Sequence, residues 1–132
     1  MNNKIRVIVK NPFEDAVVKE IDNGLKPLQD IVGGFIEAAD LPDMYNIFGY
    51  CNDEGLIQGL PPNIYRPEWK DVIFGPLVFC GADEEGDSIS LTDEQIAAVM
   101  KYLSQNSVKN LGEMLMHIET DFKYYKSNDM TM

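Results

Sequence analysis

The chain has 132 residues, of which 45% are hydrophobic and 25% are charged, as expected for one globular domain with its own core. Its 22 acidic and 11 basic residues give a net charge of −11, which argues against direct nucleic-acid binding and favours a partner with a basic surface. No apolar run is long enough to span a membrane, and the N-terminus lacks a signal-peptide pattern, so we expect a cytoplasmic protein without membrane contact.

The first part of the chain predicts a hairpin, a helix and two more strands. The alternation in KIRVIVK (4–10) predicts a half-buried strand, and AVVKEID predicts its return strand. LKPLQDIVGG predicts a short helix, with Pro27 in its first turn and Gly33–Gly34 ending it through a left-handed C-cap. FIEAADL and MYNIFGYCN predict the third and fourth strands.

A stretch rich in Gly, Pro and Asn follows, from position 51 to position 71. The sequence NDEG predicts a turn, and LIQ predicts a short strand that folds back on the fourth. GLPPN then leaves the sheet, because two successive prolines cannot donate hydrogen bonds to a strand ladder. VIFGPLVFCG (72–81) is the most apolar run and predicts a central strand with a bend at Gly75–Pro76.

Helical patterns dominate the C-terminal part. In SLTDEQIAAVMKYL, Thr92 and Gln95 have the spacing of a capping box. Ser107 can begin a second helix, because apolar residues recur after it at helical spacing. We therefore predict an α+β fold in a single domain, 1–132. It has a mostly antiparallel sheet of about five strands, one short helix and two C-terminal helices.

The segment from Gly59 to Trp69 is the main candidate binding site. We expect an exposed loop that two prolines stiffen, so that little entropy is lost on docking. Asn63 and Arg66 would be its working residues, although Arg66 could instead be paired within the protein. The alternative is that the aromatic and aliphatic side chains tuck into the core and the loop only connects. The candidate residues are Pro61, Pro62, Asn63, Tyr65, Arg66 and Trp69.

Other chemistry has little support in the sequence. Cys51 and Cys80 lie in apolar runs and are expected to be buried free thiols. His117 is the only histidine, so neither a zinc site nor a catalytic triad is expected. The acids from Asp83 to Glu94 partly follow the spacing of an EF-hand, but Ser88 stands where that loop needs Gly; a solvated acidic loop is the alternative. We expect no catalytic residue, metal or cofactor.

Several of these motifs together resemble the family named domain of unknown function 3846. The resemblance rests on Leu25, Leu28, Val32, Gly33 and Gly34, on Asn52, Glu54 and Gly55, on the run from Gly59 to Asn63, and on the strand and capped helix from Phe79 to Leu103. It covers roughly residues 4–104, which leaves 107–126 as a helical extension. The family has no established activity, and the resemblance implies a setting in phages and other mobile elements.

Together these features predict a non-enzymatic accessory protein that binds a host or element protein. One version is an acidic decoy that occupies the DNA-binding site of a host enzyme. The alternative class is a small-ligand-binding or catalytic domain that uses the Gly-Leu-Pro-Pro-Asn loop. The helical extension could also form a homodimer.

Overall fold

The computed structural model describes residues 3–110 and 112, and these form an α+β fold. No helix among the described residues is both long and apolar enough to cross a membrane. The elements in chain order are β1 (Lys4–Lys10), β2 (Val17–Asp22), α1 (Leu25–Val32), β3 (Ile36–Ala38), β4 (Ile47–Asn52), β5 (Pro62–Arg66), β6 (Asp71–Phe74), β7 (Leu77–Ala82), β8 (Ser88–Ile89) and α2 (Asp93–Asn106).

The main sheet is antiparallel throughout, as the sequence predicts. Its strand order is β2-β1-β7-β4-β3, and β8 pairs with β7 outside this path. The hairpin of β1 and β2 runs from the pair Lys4–Asp22 to the pair Val9–Val17. Strand β7 pairs with β1 and β4, and all six of its residues are buried. It is therefore the central strand of the domain.

A second, two-stranded sheet consists of β5 and β6, which are also antiparallel. The chain that follows α2 attaches to β5, because Ile64 and Ser107 form an isolated antiparallel bridge. The N–H of Val108 donates to the carbonyl oxygen of Asn63 at 2.8 Å. The described strands thus number eight in two sheets, where the sequence predicts about five in one.

The main sheet buries apolar side chains on both faces. Alternation in β1 sends Ile5, Val7 and Val9 to one face and Ile8 to the other, as its sequence pattern predicts. The prediction of a half-buried strand is wrong for the second half of β1, because Ile8 and Lys10 on the other face are buried as well. Helix α1 covers the first face, and α2 and the small sheet cover the second. The first cluster comprises Ile5, Val7, Val9, Leu28, Val32, Val78 and Cys80; the second includes Ile8, Ile64, Ile73, Leu77, Phe79, Leu91, Val99 and Leu103.

Both predicted helix ends are confirmed. Gly33 closes α1 in the left-handed conformation, with φ of 78°, and its N–H donates to the carbonyl oxygen of Gln29 at 2.8 Å. Thr92 and Gln95 form a complete capping box at the start of α2. The N–H of Gln95 donates to Thr92 Oγ1 at 3.1 Å, and the N–H of Thr92 donates to Gln95 Oε1 at 2.9 Å.

Four predicted strands differ in the structure. The strand predicted over MYNIFGYCN begins at Ile47 and not at Met44. The predicted strand LIQ is wrong, because Leu56 to Gln58 form a compact turn closed by a hydrogen bond from Gln58 N–H to the Glu54 carbonyl. The third strand is shorter than FIEAADL and spans only Ile36–Ala38. The run from 72 to 81 is not one strand. Gly75, with φ of 90°, and Pro76 divide it, so its first part joins the small sheet and its second the main sheet. The second C-terminal helix lies outside the described residues.

Candidate functional site

The predicted binding loop is largely a strand. Pro62 to Arg66 form β5 and are buried or half-buried, whereas Gly59, Pro61 and the turn from Pro67 onward are exposed, so the expectation of an exposed loop is wrong for β5. Ile64 is fully buried and pairs with Ile73 of β6. Because Pro62 stands at the first position of β5, its missing N–H does not interrupt the ladder.

Asn63 is fully buried and joins three parts of the chain. Its Nδ2 donates to the carbonyl oxygens of Lys10, at 2.7 Å, and Gly75, at 2.8 Å. Its Oδ1 accepts a hydrogen bond from Lys10 Nζ at 3.0 Å. The side chain therefore uses its donors and its acceptor inside the protein, and the geometry supports a structural role.

Lys10 is the charged member of this buried network and is only 2% exposed. Its Nζ donates to the carbonyl oxygen of Asn11 at 2.9 Å as well as to Asn63. Burial lowers the pKa of Lys10, and the nearby carboxylates of Asp15 and Glu14 oppose that change. The buried ammonium group is therefore stabilised by the neutral oxygens of Asn11 and Asn63. It forms no ion pair with Asp15 or Glu14.

Arg66 is paired within the protein. Its Nε donates to Asp71 Oδ1 at 2.8 Å, its Nη2 donates to Asp71 Oδ2, and its Nη1 donates to the carbonyl oxygen of Asp40 at 2.8 Å. The guanidinium carbon also lies 4.7 Å from the centre of the Trp69 ring, in cation–π geometry. Of the two roles that the sequence left open for Arg66, the structure shows the internal ion pair.

The remaining predicted residues lie at the end of the β5–β6 hairpin. Tyr65 is half-buried, and Trp69 is exposed over 51% of its surface. In the turn between the strands, Glu68 Oε1 accepts a hydrogen bond of 2.7 Å from the hydroxyl of Tyr102 in α2. Burial raises the pKa of Tyr102, and this bond raises it further. The turn is therefore fastened to α2, with Trp69 at its surface.

Both cysteines are buried free thiols, as expected. Burial raises the pKa of Cys51 to about 11, and the neighbouring carboxylate of Glu37 adds to the effect. Burial also raises the pKa of Cys80. Since the thiolate is the nucleophilic form, these environments suppress the reactivity of both side chains at neutral pH.

The acidic segment after β7 forms a tight turn. Asp83 Oδ1 accepts hydrogen bonds from the N–H groups of Glu85 and Asp87, both at 2.9 Å. Gly86 adopts a positive φ of 84° and its N–H donates to the Asp83 carbonyl. Asp83 thus organises the β7–β8 hairpin. In residues 3–110, no group of three or more His, Cys, Asp or Glu side chains is placed to hold a metal ion.

Three exposed apolar side chains that the sequence did not predict lie on two neighbouring segments, before β3 and after β4. Phe35, Leu56 and Ile57 are exposed over 72%, 69% and 85% of their surfaces; we call these three residues the Phe35 surface. Phe35 precedes β3 and the other two follow β4, and the N–H of Asp53 joins the segments by donating to the Phe35 carbonyl at 3.0 Å. Because Leu56 and Ile57 were predicted to lie in a strand, the sequence did not indicate that their side chains are exposed.

Comparison with known proteins identifies the family. The model of the family described as a domain of unknown function, DUF3846, matches residues 5–104. The chain belongs to this family. No curated protein and no solved structure matches it.

The DUF3846 match begins in β1 and ends in α2, so it includes every residue of the Asn63 network and of the Phe35 surface. Its span agrees with the resemblance noted from the sequence. The family description states no activity.

Proposed function

We propose that this DUF3846 chain is a non-enzymatic protein-binding module that contacts its partner through the Phe35 surface. The exposure of Phe35, Leu56 and Ile57 carries the proposal. Three large apolar side chains on two adjoining segments are an unfavourable surface in water unless something covers them. Covering each would contribute up to roughly 1.5–3 kcal/mol, before the cost of association is subtracted.

The charges around this surface favour a basic partner. Asp30, Asp53 and Glu54 line a depression of about 470 Å³ beside Phe35. Asp30 is ion-paired with Lys26, whereas Asp53 and Glu54 have no ion pair among the described residues. A partner with apolar side chains flanked by Lys or Arg would complement both features, and the net charge of −11 would speed its approach.

The state of the reactive groups supports the non-enzymatic part. Both thiols are kept protonated by burial, and Lys10 and Asn63 are bonded to each other. The binding role predicted for the segment from Pro61 to Trp69 stays a prediction, and it now rests on the exposed Trp69. The proposal also includes a cytoplasmic setting in a phage or other mobile element, the acidic-decoy version, and a homodimer through 107–126.

Affinity capture with matched variants tests this function. The tagged wild type, the double variant Phe35→Ser/Ile57→Ser and the control Tyr45→Ser would be compared in host lysate by quantitative mass spectrometry. Tyr45 is exposed over 81% of its surface and lies outside the Phe35 surface, so it controls for removal of an exposed aromatic ring. Thermal melting of each protein would verify folding.

We expect at least one protein that the wild type and Tyr45→Ser retain, and that the double variant loses by tenfold or more. That protein should elute with increasing salt, as a basic partner would. Equal retention by both variants would show that the Phe35 surface is not the contact. Enrichment of no protein above a blank matrix would count against a binding module altogether.

A further inference from the structure

A cleft of about 750 Å³ opens beside the first turn of α1. Its walls are the start of β1, the start of α1 and the β7–β8 hairpin. The volume lies within the range of roughly 300–1,000 Å³ that small-molecule sites occupy. Nothing in the proposed contact at the Phe35 surface uses this cleft, since the two share no lining residue.

The floor of the cleft is apolar. Ile5 and Leu28 are buried beneath it, and Ile36 and Tyr50 are half-buried at its side. Ser88 lines the cleft together with Tyr50. A ligand placed here would cover part of the sheet face with a hydrocarbon segment.

The rim of the cleft carries excess negative charge. Its charged lining residues are Lys4, Asp83 and Asp87. Lys4 is already neutralised, because its Nζ lies 3.3 Å from the carboxylate of Asp22. Neither Asp83 nor Asp87 has an ion pair among the described residues, and both hydrogen bonds to the Asp83 carboxylate end on its Oδ1. The Oδ2 of Asp83 is thus left for a donor from outside.

We propose that this cleft binds an alkylamine cation. The ammonium group bonds to the carboxylates of Asp83 and Asp87, and the aliphatic stem lies on the cleft residues with accessible apolar surface, Leu25, Ile36 and Ile89. An ammonium supplies three N–H donors to carboxylates, which can only accept, and the stem removes apolar surface from water. Two sources share this chemistry: a free small amine, and a lysine side chain presented by another protein.

Chemical-shift titration of the full chain tests the proposal. The probes are pentan-1-amine, its neutral counterpart pentan-1-ol, and Nα-acetyl-lysine methylamide. Asp83→Asn/Asp87→Asn removes two charges at the rim and keeps an oxygen that can hold the turn. Glu84→Gln/Glu85→Gln removes two charges from the same hairpin at residues that do not line the cleft, and is the matched control.

We expect saturable shifts at cleft residues with the amine, at least tenfold weaker binding of the alcohol, and at least tenfold weaker amine binding by the Asp83/Asp87 variant. The Glu84/Glu85 variant should stay within about twofold of wild type, or about 0.4 kcal/mol. If the protein binds pentan-1-amine but not Nα-acetyl-lysine methylamide, the natural ligand is a free small amine. If it binds Nα-acetyl-lysine methylamide more tightly than pentan-1-amine, the natural ligand is a lysine side chain of another protein. Equal binding of amine and alcohol, equal effects of the two double variants, or the lack of saturation would each overturn the proposal.

Discussion

Replacement of Asn63 by Ala should destabilise the protein strongly, although the residue lies in a segment that reads as a loop. The change removes two buried donations to carbonyl oxygens and the acceptor of the Lys10 ammonium. With about 1 kcal/mol for each neutral bond and about 2 kcal/mol for the charged one, the free energy of unfolding should fall by about 4 kcal/mol. For a domain of this size the melting temperature should fall by roughly 10–20 °C.

Urea denaturation followed by circular dichroism measures this loss, with the slope m compared between proteins to confirm the same transition. Asn23→Ala is the matched control. Its amide donates only one partly buried hydrogen bond, to the Ser88 carbonyl at 3.0 Å, so about 1 kcal/mol is expected. If Asn63→Ala loses less than 1 kcal/mol at unchanged m, the network does not hold β1, β5 and Gly75 together, and the structural role assigned to Asn63 is wrong.

Three further predictions concern packing, titration and the ion pair. Gly49→Ala should lower stability by several kcal/mol, because a Cβ there would lie 2.3 Å from the Ala39 carbonyl oxygen and 2.7 Å from Phe79 Cε1; an unchanged urea midpoint would contradict this close approach. The pKa of Cys51 is raised from 9.0 to about 11. The stability that the protonated thiol contributes to the folded state is therefore fully present below pH 9 and is lost as the pH rises to about 11. Between pH 9 and about 11 the free energy of unfolding should therefore fall more steeply for the wild type than for Cys51→Ala. If the two proteins show the same dependence of this free energy on pH, the raised pKa of Cys51 is refuted. Arg66→Lys should cost about 1–2 kcal/mol and change the fluorescence of Trp69, because Lys cannot form the two-point contact with Asp71 or stack on the ring. In a protein that already carries Asp71→Asn, Arg66→Lys should lower the free energy of unfolding much less. An equal loss with and without Asp71→Asn would argue against coupling between Arg66 and Asp71.

Local signals in the sequence were sufficient for the elements that depend on near neighbours. The alternation of β1, the left-handed Gly33 and the capping box of Thr92 each involve residues within a few positions, and all three are confirmed. The broad α+β class and the antiparallel main sheet follow from such elements. Their pairing order required the long-range structure.

The role of Asn63 could not be read from its neighbours. Its bonding partners Lys10 and Gly75 are 53 and 12 residues away, whereas the two prolines before it suggest an isolated stiff loop. Arg66 is a different case, because Asp71 is only five residues away and a hairpin between them would bring the two together. The residues at 67–70 carry no turn signature from which that hairpin could have been predicted.

The exposed Leu56–Ile57 pair was misassigned for a physical reason as well. Two apolar residues after a turn signature are typical of a returning strand, and only the hydrogen bonds of the turn reveal that they stay outside. The Leu60 N–H donates to the Gly55 carbonyl at 2.9 Å, which closes the turn and leaves both side chains in solvent. Apolar content alone does not separate a core strand from a contact surface.

The length of α1 links the two proposed sites. The helix has eight residues and spans about 12 Å, whereas a seven-residue strand such as β1 spans about 24 Å. The alkylamine cleft lies at the first turn of α1, and the Phe35 surface follows the Gly33–Gly34 pair that ends it. Exposed apolar side chains thus lie at both ends of one short helix, with Leu25 at its start and Phe35 just beyond its end. Because each occupant would touch the same helix, binding at one end should alter chemical shifts along α1 even where no contact is made.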